Sequence, residues 1–261
     1  MSTLAWILTA TAVGGIASAA MAGLFLLIPD AQRARGLPHL VSFATGALLG
    51  AALLALLPEA VAGVGLARVG EIGVALVAGI GVFFVLEKLL LWRHCHADEC
   101  ETHAPGTHQH GRDRATGVLV LVGDAIHNAL DGVLIAAAFL TSTRLGIVTA
   151  LAIMAHEIPQ EVGDFAILLH SGMARRQAFV LNLASSLTSM IGGLAAYFAL
   201  RRALELLPFA LAIAAASLIY IAVADLIPGL HRRVDARHSA AQVVLIAAGV
   251  VLIGFMEEHL H

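Results

Sequence analysis

Two short stretches hold the side chains best able to bind a metal: His127-Asn128-Ala129-Leu130-Asp131-Gly132 and His156-Glu157-Ile158-Pro159-Gln160-Glu161-Val162-Gly163-Asp164. On a helix, His127 and Asp131 are four residues apart and share a face, with Asn128 beside them. In the second stretch His156 and Gln160 share one face, Glu157 and Glu161 the next, and Asp164 continues that stripe. Imidazole combined with carboxylate is a donor set for zinc, iron or manganese, whereas oxygen donors alone suit magnesium or calcium. Pro159 lacks a backbone donor and presses on the carbonyl of Ala155, which predicts a kink and an extra oxygen facing a cavity. Gly132 and Gly163 are expected to leave room for a neighbouring helix.

The chain around these groups is too apolar for a soluble domain. Hydrophobic residues make up 59% and charged residues 13%, against about half and about a quarter in ordinary globular proteins. Mean hydropathy is +0.90. The formal charge of −3 offers no basic surface for nucleic acid, and the two cysteines, Cys95 and Cys100, cannot make a disulfide framework. The first apolar run has almost no positive leader and continues to Pro29, so it reads as a first span rather than a cleaved signal. Runs of roughly 20 apolar residues are needed to cross a bilayer. Eight qualify: Leu4–Ile28, Leu40–Val61, Ile72–Trp92, Gly117–Leu140, Ile147–Leu169, Ala178–Leu200, Pro208–Ile227 and Ala240–Met256. The expected fold is an all-α integral membrane protein of eight transmembrane helices in one domain over residues 1–261. Its abundant Gly and Ala suit close helix packing.

Ionisable groups are costly inside such helices and are there for function. One or two per helix would fit interhelical hydrogen bonding. Three on span four and five on span five are more than that role needs, so a metal site outweighs a structural one. Arginine and lysine set the orientation. With the N-terminus outside, eleven of the 15 Lys and Arg residues fall on inner loops or adjoining helix ends and four on the outer side. Both termini are therefore expected outside. Residues 94–114 hold His94, Cys95, His96, Cys100, His103, His108 and His110 with no apolar periodicity, which predicts a mobile, histidine-rich inner loop with weak regulatory affinity for metal. Leu56-Leu57-Pro58-Glu59 on span two is echoed by Leu226-Ile227-Pro228-Gly229 on span seven. The echo suggests inverted repeats of three spans flanking spans four and five, a 3+2+3 arrangement that places substrate near mid-membrane.

His156-Glu157-Ile158-Pro159-Gln160 has the start of the zinc-protease pattern H-E-x-x-H, but the second histidine is missing and the proline spoils its spacing. A more specific likeness lies elsewhere. His-Asn-x-x-Asp-Gly in span four, His-Glu-x-Pro-x-Glu-x-Gly-Asp-Phe in span five, Val85-Leu86-Glu87-Lys88 in span three and Leu57-Pro58-Glu59 in span two together resemble the ZIP (Zrt/Irt-like) divalent metal transporters, in particular their LIV-1-type branch. The resemblance covers the whole membrane domain.

That resemblance implies import of zinc, or of iron, manganese or cadmium, into the cytosol as transported substrate with no catalytic cofactor. It assigns His127, Asp131 and His156 to a primary metal site, Asn128 and Glu157 to an adjacent second site, and Gln160 to a shared position. Glu161 completes the candidate ligand set. Gln160 departs from the family, whose LIV-1-type members usually have histidine there. A neutral amide is a poorer zinc ligand, and Ala184-Ser185-Ser186-Leu187-Thr188-Ser189 on span six adds no carboxylate. One strong site with a weak or absent second is therefore expected. The expected partners are the divalent ion, the lipid bilayer and a second copy in a homodimer, with the bacterial inner membrane as location. The rival readings are an intramembrane zinc hydrolase, with Glu157 as base, and a metal sensor that does not transport.

Overall fold

In a computed structural model the described residues are 1–95, 109–231 and 236–259. Every described element is helical. They are α1 (Thr3–Phe25), α2 (Asp30–Gly50), α3 (Leu57–Val64), α4 (Val69–Cys95), α5 (Gln109–Thr141), α6 (Thr143–His170), α7 (Arg175–Ser186), α8 (Thr188–Leu200), α9 (Leu207–Tyr220), α10 (Ile227–Leu230) and α11 (Ala236–His259).

Seven helical stretches among the described residues are long and apolar enough to cross a bilayer. The eighth expected span coincides with α6. It is 28 residues long, which is ample, but Glu157, Glu161 and Asp164 lower its apolarity. With these helices the chain is a multi-pass integral membrane protein. Helices α4 and α5 run beyond the expected spans, to Cys95 and from Gln109, so the ends of the expected loop are helical. Hydropathy marks the lipid-facing length of a helix, not where its hydrogen bonds stop. Residues 96–108, the greater part of the histidine-rich stretch, lie outside the described residues, as do Leu260 and His261.

Spans two and seven share a backbone feature. Ala51–Leu56 and Ile221–Leu226 form π-helical segments, followed by Pro58 at the start of α3 and Pro228 at the start of α10. Each proline withholds one N–H, and the turn before it widens to re-pair the backbone. Span six breaks between α7 and α8 at Leu187. There the Thr188 hydroxyl donates to the Ser185 carbonyl and also to Ala125 of α5, both at 2.6 Å. Helix α6 is continuous through Pro159.

The helices pack as two groups. In one, α1 lies on α6, α5 on α6, and α5 on α8; in the other, α2 lies on α11 and α4 on α9. The groups meet where α2 touches α6 and α5 touches α9, in a core rich in small side chains, among them Ala51, Ala52, Ala136, Ala137, Ala152 and Ala215. Glycines lock the partners within each group. A Cβ on Gly132 would stand 1.8 Å from the Ser189 carbonyl oxygen, and one on Gly192 1.8 Å from that of Ala129, so α5 and α8 touch backbone to backbone. Gly46 and Gly249 do the same between α2 and α11. Gly163, expected to serve such a contact, has open space beside it.

The two glycines of the central helices therefore differ in what they tolerate. Overpacking against backbone cannot be relieved by a rotamer change and costs about 1–3 kcal/mol or more. Gly132→Ala is expected to lower the melting temperature of the detergent-purified protein by at least about 5 °C. Gly163→Ala is expected to leave it unchanged or slightly raised. Equal effects of the two would contradict the packing.

Candidate metal site

The site is built on a helical hairpin with a one-residue tip. Helix α5 ends at Thr141, Ser142 is extended, and α6 begins at Thr143; the Ser142 hydroxyl accepts the Leu145 N–H at 3.1 Å and caps α6. This tip fixes the register of the two arms. His127 and Glu157 stand equally far from Ser142, fifteen residues along each, so they meet at one level about 22 Å from the tip. Helical periodicity then adds Asp131 one turn nearer the tip on α5, and His156 beside Glu157.

Four donors converge there. His127 Nε2 lies 3.3 Å from His156 Nε2, 3.4 Å from Glu157 Oε1 and 3.7 Å from Asp131 Oδ2. His156 Nε2 lies 3.5 Å from both Asp131 Oδ2 and Glu157 Oε1. Two donors at about 2.05 Å from a tetrahedral zinc ion are about 3.3 Å apart. The corresponding spacing of neighbouring donors around an octahedral ion at 2.1 Å is about 3.0 Å. These five separations, 3.3–3.7 Å, lie nearer the tetrahedral value.

Burial makes these four groups a strong constraint. Side-chain exposure is 1% for His156, 3% for Asp131 and 6% for Glu157, while His127 keeps 26%. Asp131 Oδ2 and both Glu157 carboxylate oxygens have no hydrogen-bond partner among the described residues. An acceptor buried without a donor is unfavourable by itself, and two carboxylates side by side repel. A divalent cation between them answers both needs. Beside them is a cavity of about 20 Å³, bounded by Thr11 and Gly14 of α1, Ile153 of α6, and Asn128, Asp131 and Glu157. It has room for about one water molecule.

The other expected ligands are placed differently. Asn128 is buried but turned towards Asp124, its Nδ2 donating to Asp124 Oδ1 at 2.8 Å and to the Asp124 carbonyl at 3.1 Å. Glu161 is buried one turn beyond Glu157 and accepts the Ser186 hydroxyl. Gln160 lies beside Asp124. Glu157, assigned by resemblance to a neighbouring site with Asn128, instead joins His127, Asp131 and His156. Asp124 was not expected at all. It stands three residues before His127 and seven before Asp131, on the same face of α5, and that spacing was the available signal. On span three, Glu87 accepts a hydrogen bond from the Tyr220 hydroxyl of α9.

Residues 91–257 match the family described as ZIP Zinc transporter. This chain belongs to the ZIP family, in its LIV-1 branch. Among its relatives, zinc transporter ZIP13 of Pongo abelii is 34% identical over 232 residues, covering 83% of this chain and 66% of that protein. ZIP13 of Mus musculus is 34% identical over 253 residues, covering 83% and 69%. Zinc transporter ZIP4 of Homo sapiens is 42% identical over 119 residues, covering 46% of this chain and 18% of that protein. The chain thus spans about two thirds of ZIP13 and under a fifth of ZIP4. The family is one of transporters and not of enzymes, which removes the hydrolase reading.

The geometry makes a spectroscopic prediction. Cobalt(II) added to the purified ZIP chain is expected to give the intense visible bands of a tetrahedral centre, and His156→Ala to abolish them. Weak bands of six-coordinate cobalt in the unaltered protein would contradict a four-donor site.

Proposed function

We propose that this chain carries zinc into the cytosol through the site formed by His127, Asp131, His156 and Glu157 between spans four and five. One observation carries the reading: four converging donors, three of them buried and two of them imidazoles, spaced for a tetrahedral ion. Zinc has no geometric preference to overcome in such a site and favours nitrogen with oxygen donors. Cadmium is a fitting competitor, while iron and manganese, at home with more oxygen donors, are weaker ones.

The depth of the site agrees with transport. About 22 Å from the hairpin tip is half of the roughly 40–45 Å spanned by a bilayer with its headgroups. The arginine distribution supports reading that tip as the outer end. Arg144 near the tip pairs with Glu257 near the end of α11 at 3.0 Å, in keeping with a shared outer side for the tip and the C-terminus. The small cavity beside Asp131 and Glu157 then serves the approaching ion and its last water. His127, the most open donor at 26% side-chain exposure, is then the one from which the ion departs. Asp225, on the π segment of span seven, is within electrostatic reach of it.

The 3+2+3 arrangement is supported by the reciprocity of packing. Pairing spans one with six, two with seven, three with eight and four with five turns the α1–α6 contact into the α8–α5 contact. The same exchange turns α2–α11 into α9–α4 and α2–α6 into α9–α5, and all of these contacts are present. The matched π segments before Pro58 and Pro228 fit the same symmetry. The site-bearing group of spans one, four, five and six would move against the group of spans two, three, seven and eight. Alanines at their boundary suit sliding, because they present little to unlock.

Uptake into proteoliposomes tests the proposal. Zinc flux is expected in the unaltered protein, with cadmium competing more strongly than manganese. His127→Ala should reduce flux by at least about tenfold, since even the outer partners of metal ligands are worth 10–100-fold. Metal binding with no flux in the unaltered protein would favour a sensor; full flux in the variant would take the four-donor site off the pathway.

A further inference from the structure

One turn beyond the four donors, α5, α6 and α7 enclose a second polar group that the proposed site does not use. Asp124 precedes His127 on α5, Glu161 follows Glu157 on α6, and both are buried. Two consecutive hydroxyls of α7 join them: Ser185 donates to Asp124 Oδ2, and Ser186 to Glu161 Oε1. Asp164, about one turn further along α6, is within electrostatic reach of both carboxylates. No lysine or arginine pairs with these three acids among the described residues.

The hydrogen bonds leave the group incomplete. Glu161 is 0% exposed, and its Oε2 has no partner among the described residues. Asn182 of α7 is 1% exposed, and neither its amide oxygen nor its amide nitrogen has a partner among the described residues. Asn182 lies three and four residues before Ser185 and Ser186, whose hydroxyls also donate to its carbonyl at 2.9 Å. Helical spacing therefore aims its side chain into the junction those hydroxyls enter. A structural serine-carboxylate clasp accounts for one oxygen of Glu161 and for nothing of the Asn182 amide.

We propose that Asp124, Glu161, Asp164 and Asn182 form a second divalent-cation station, made only of oxygen donors. Such a set suits manganese, magnesium or calcium and holds zinc less firmly than imidazoles do. Its role rests on the transport reading: the ion leaves the histidines for weaker donors one turn nearer the inner side, so release proceeds in two smaller steps. It differs from the second site implied by the family resemblance, because Glu157 is engaged with the histidines and Gln160 supplies no charge.

Manganese(II) titration of the detergent-purified full chain, followed by electron paramagnetic resonance, tests the station. In the double variant His127→Ala/His156→Ala one bound manganese is expected to remain. In Asp124→Asn/Glu161→Gln that weaker ion should be lost while tight zinc binding, measured by equilibrium dialysis, is kept. Loss of all manganese in the histidine variant, or unchanged manganese binding in the carboxylate variant, would overturn the proposal. If the carboxylate variant loses zinc as well, Asn182→Leu decides: manganese affinity lowered about tenfold supports the station, and unchanged affinity overturns it. Zinc flux of the unaltered protein, measured in parallel, judges the transport reading separately, since manganese binding does not depend on it.

Discussion

The structure turns on two carboxylates buried against two imidazoles in an apolar bundle, three of their four oxygens without a hydrogen-bond partner among the described residues. Asp131 and Glu157 together bring up to two negative charges, and the His127 and His156 nitrogens stand 3.4–3.7 Å from them. Those distances exceed a good N–H···O hydrogen bond of about 2.7–3.2 Å. They are what donors keep when each points at a shared centre instead of at one another. An ion able to replace that missing solvation is the natural occupant. The same requirement explains why a metal site can be deep: the ion and the carboxylates each solve the other's burial.

Holding four donors to this spacing requires a rigid frame. The Ser142 tip sets α5 and α6 in register, and the Gly132 and Gly192 contacts clamp α5 to α8. Span six in turn supplies Ser185, Ser186 and Thr188 to the half of the hairpin away from its tip. The other helix group has its own glycine clamp between α2 and α11. Close backbone contact within each group and small apolar side chains between them favour relative movement at the boundary over deformation of either group.

Much of this was legible in the sequence, and the gaps have physical causes. His127, Asp131 and His156 stood out because imidazoles and carboxylates at helical spacing are rare in apolar runs. Their convergence was read from resemblance and chemistry, since neither periodicity nor spacing reveals the register of two helices. Glu157 was grouped with Asn128, because adjacent residues on a helix point about 100° apart and its choice of side depends on the facing helix. Asp124 was passed over because one of its partners, Ser185, is 61 residues away and the helix contact that joins them is not written in the local spacing. The proline at position 159 lies inside a helix that continues past it, which the expected kink permits. Prolines 58 and 228 were noticed as an echo, but their π segments are a backbone response that no residue type announces. Gly132 and Gly163 looked alike in sequence and differ entirely in what lies beside them.

Zinc-edge X-ray absorption of the purified protein loaded with one equivalent of zinc tests the central claim most directly. The account predicts four nitrogen or oxygen neighbours at about 2.0–2.1 Å, with outer-shell scattering from two imidazoles that falls to one in His156→Ala. Six oxygen neighbours without imidazole scattering would contradict it.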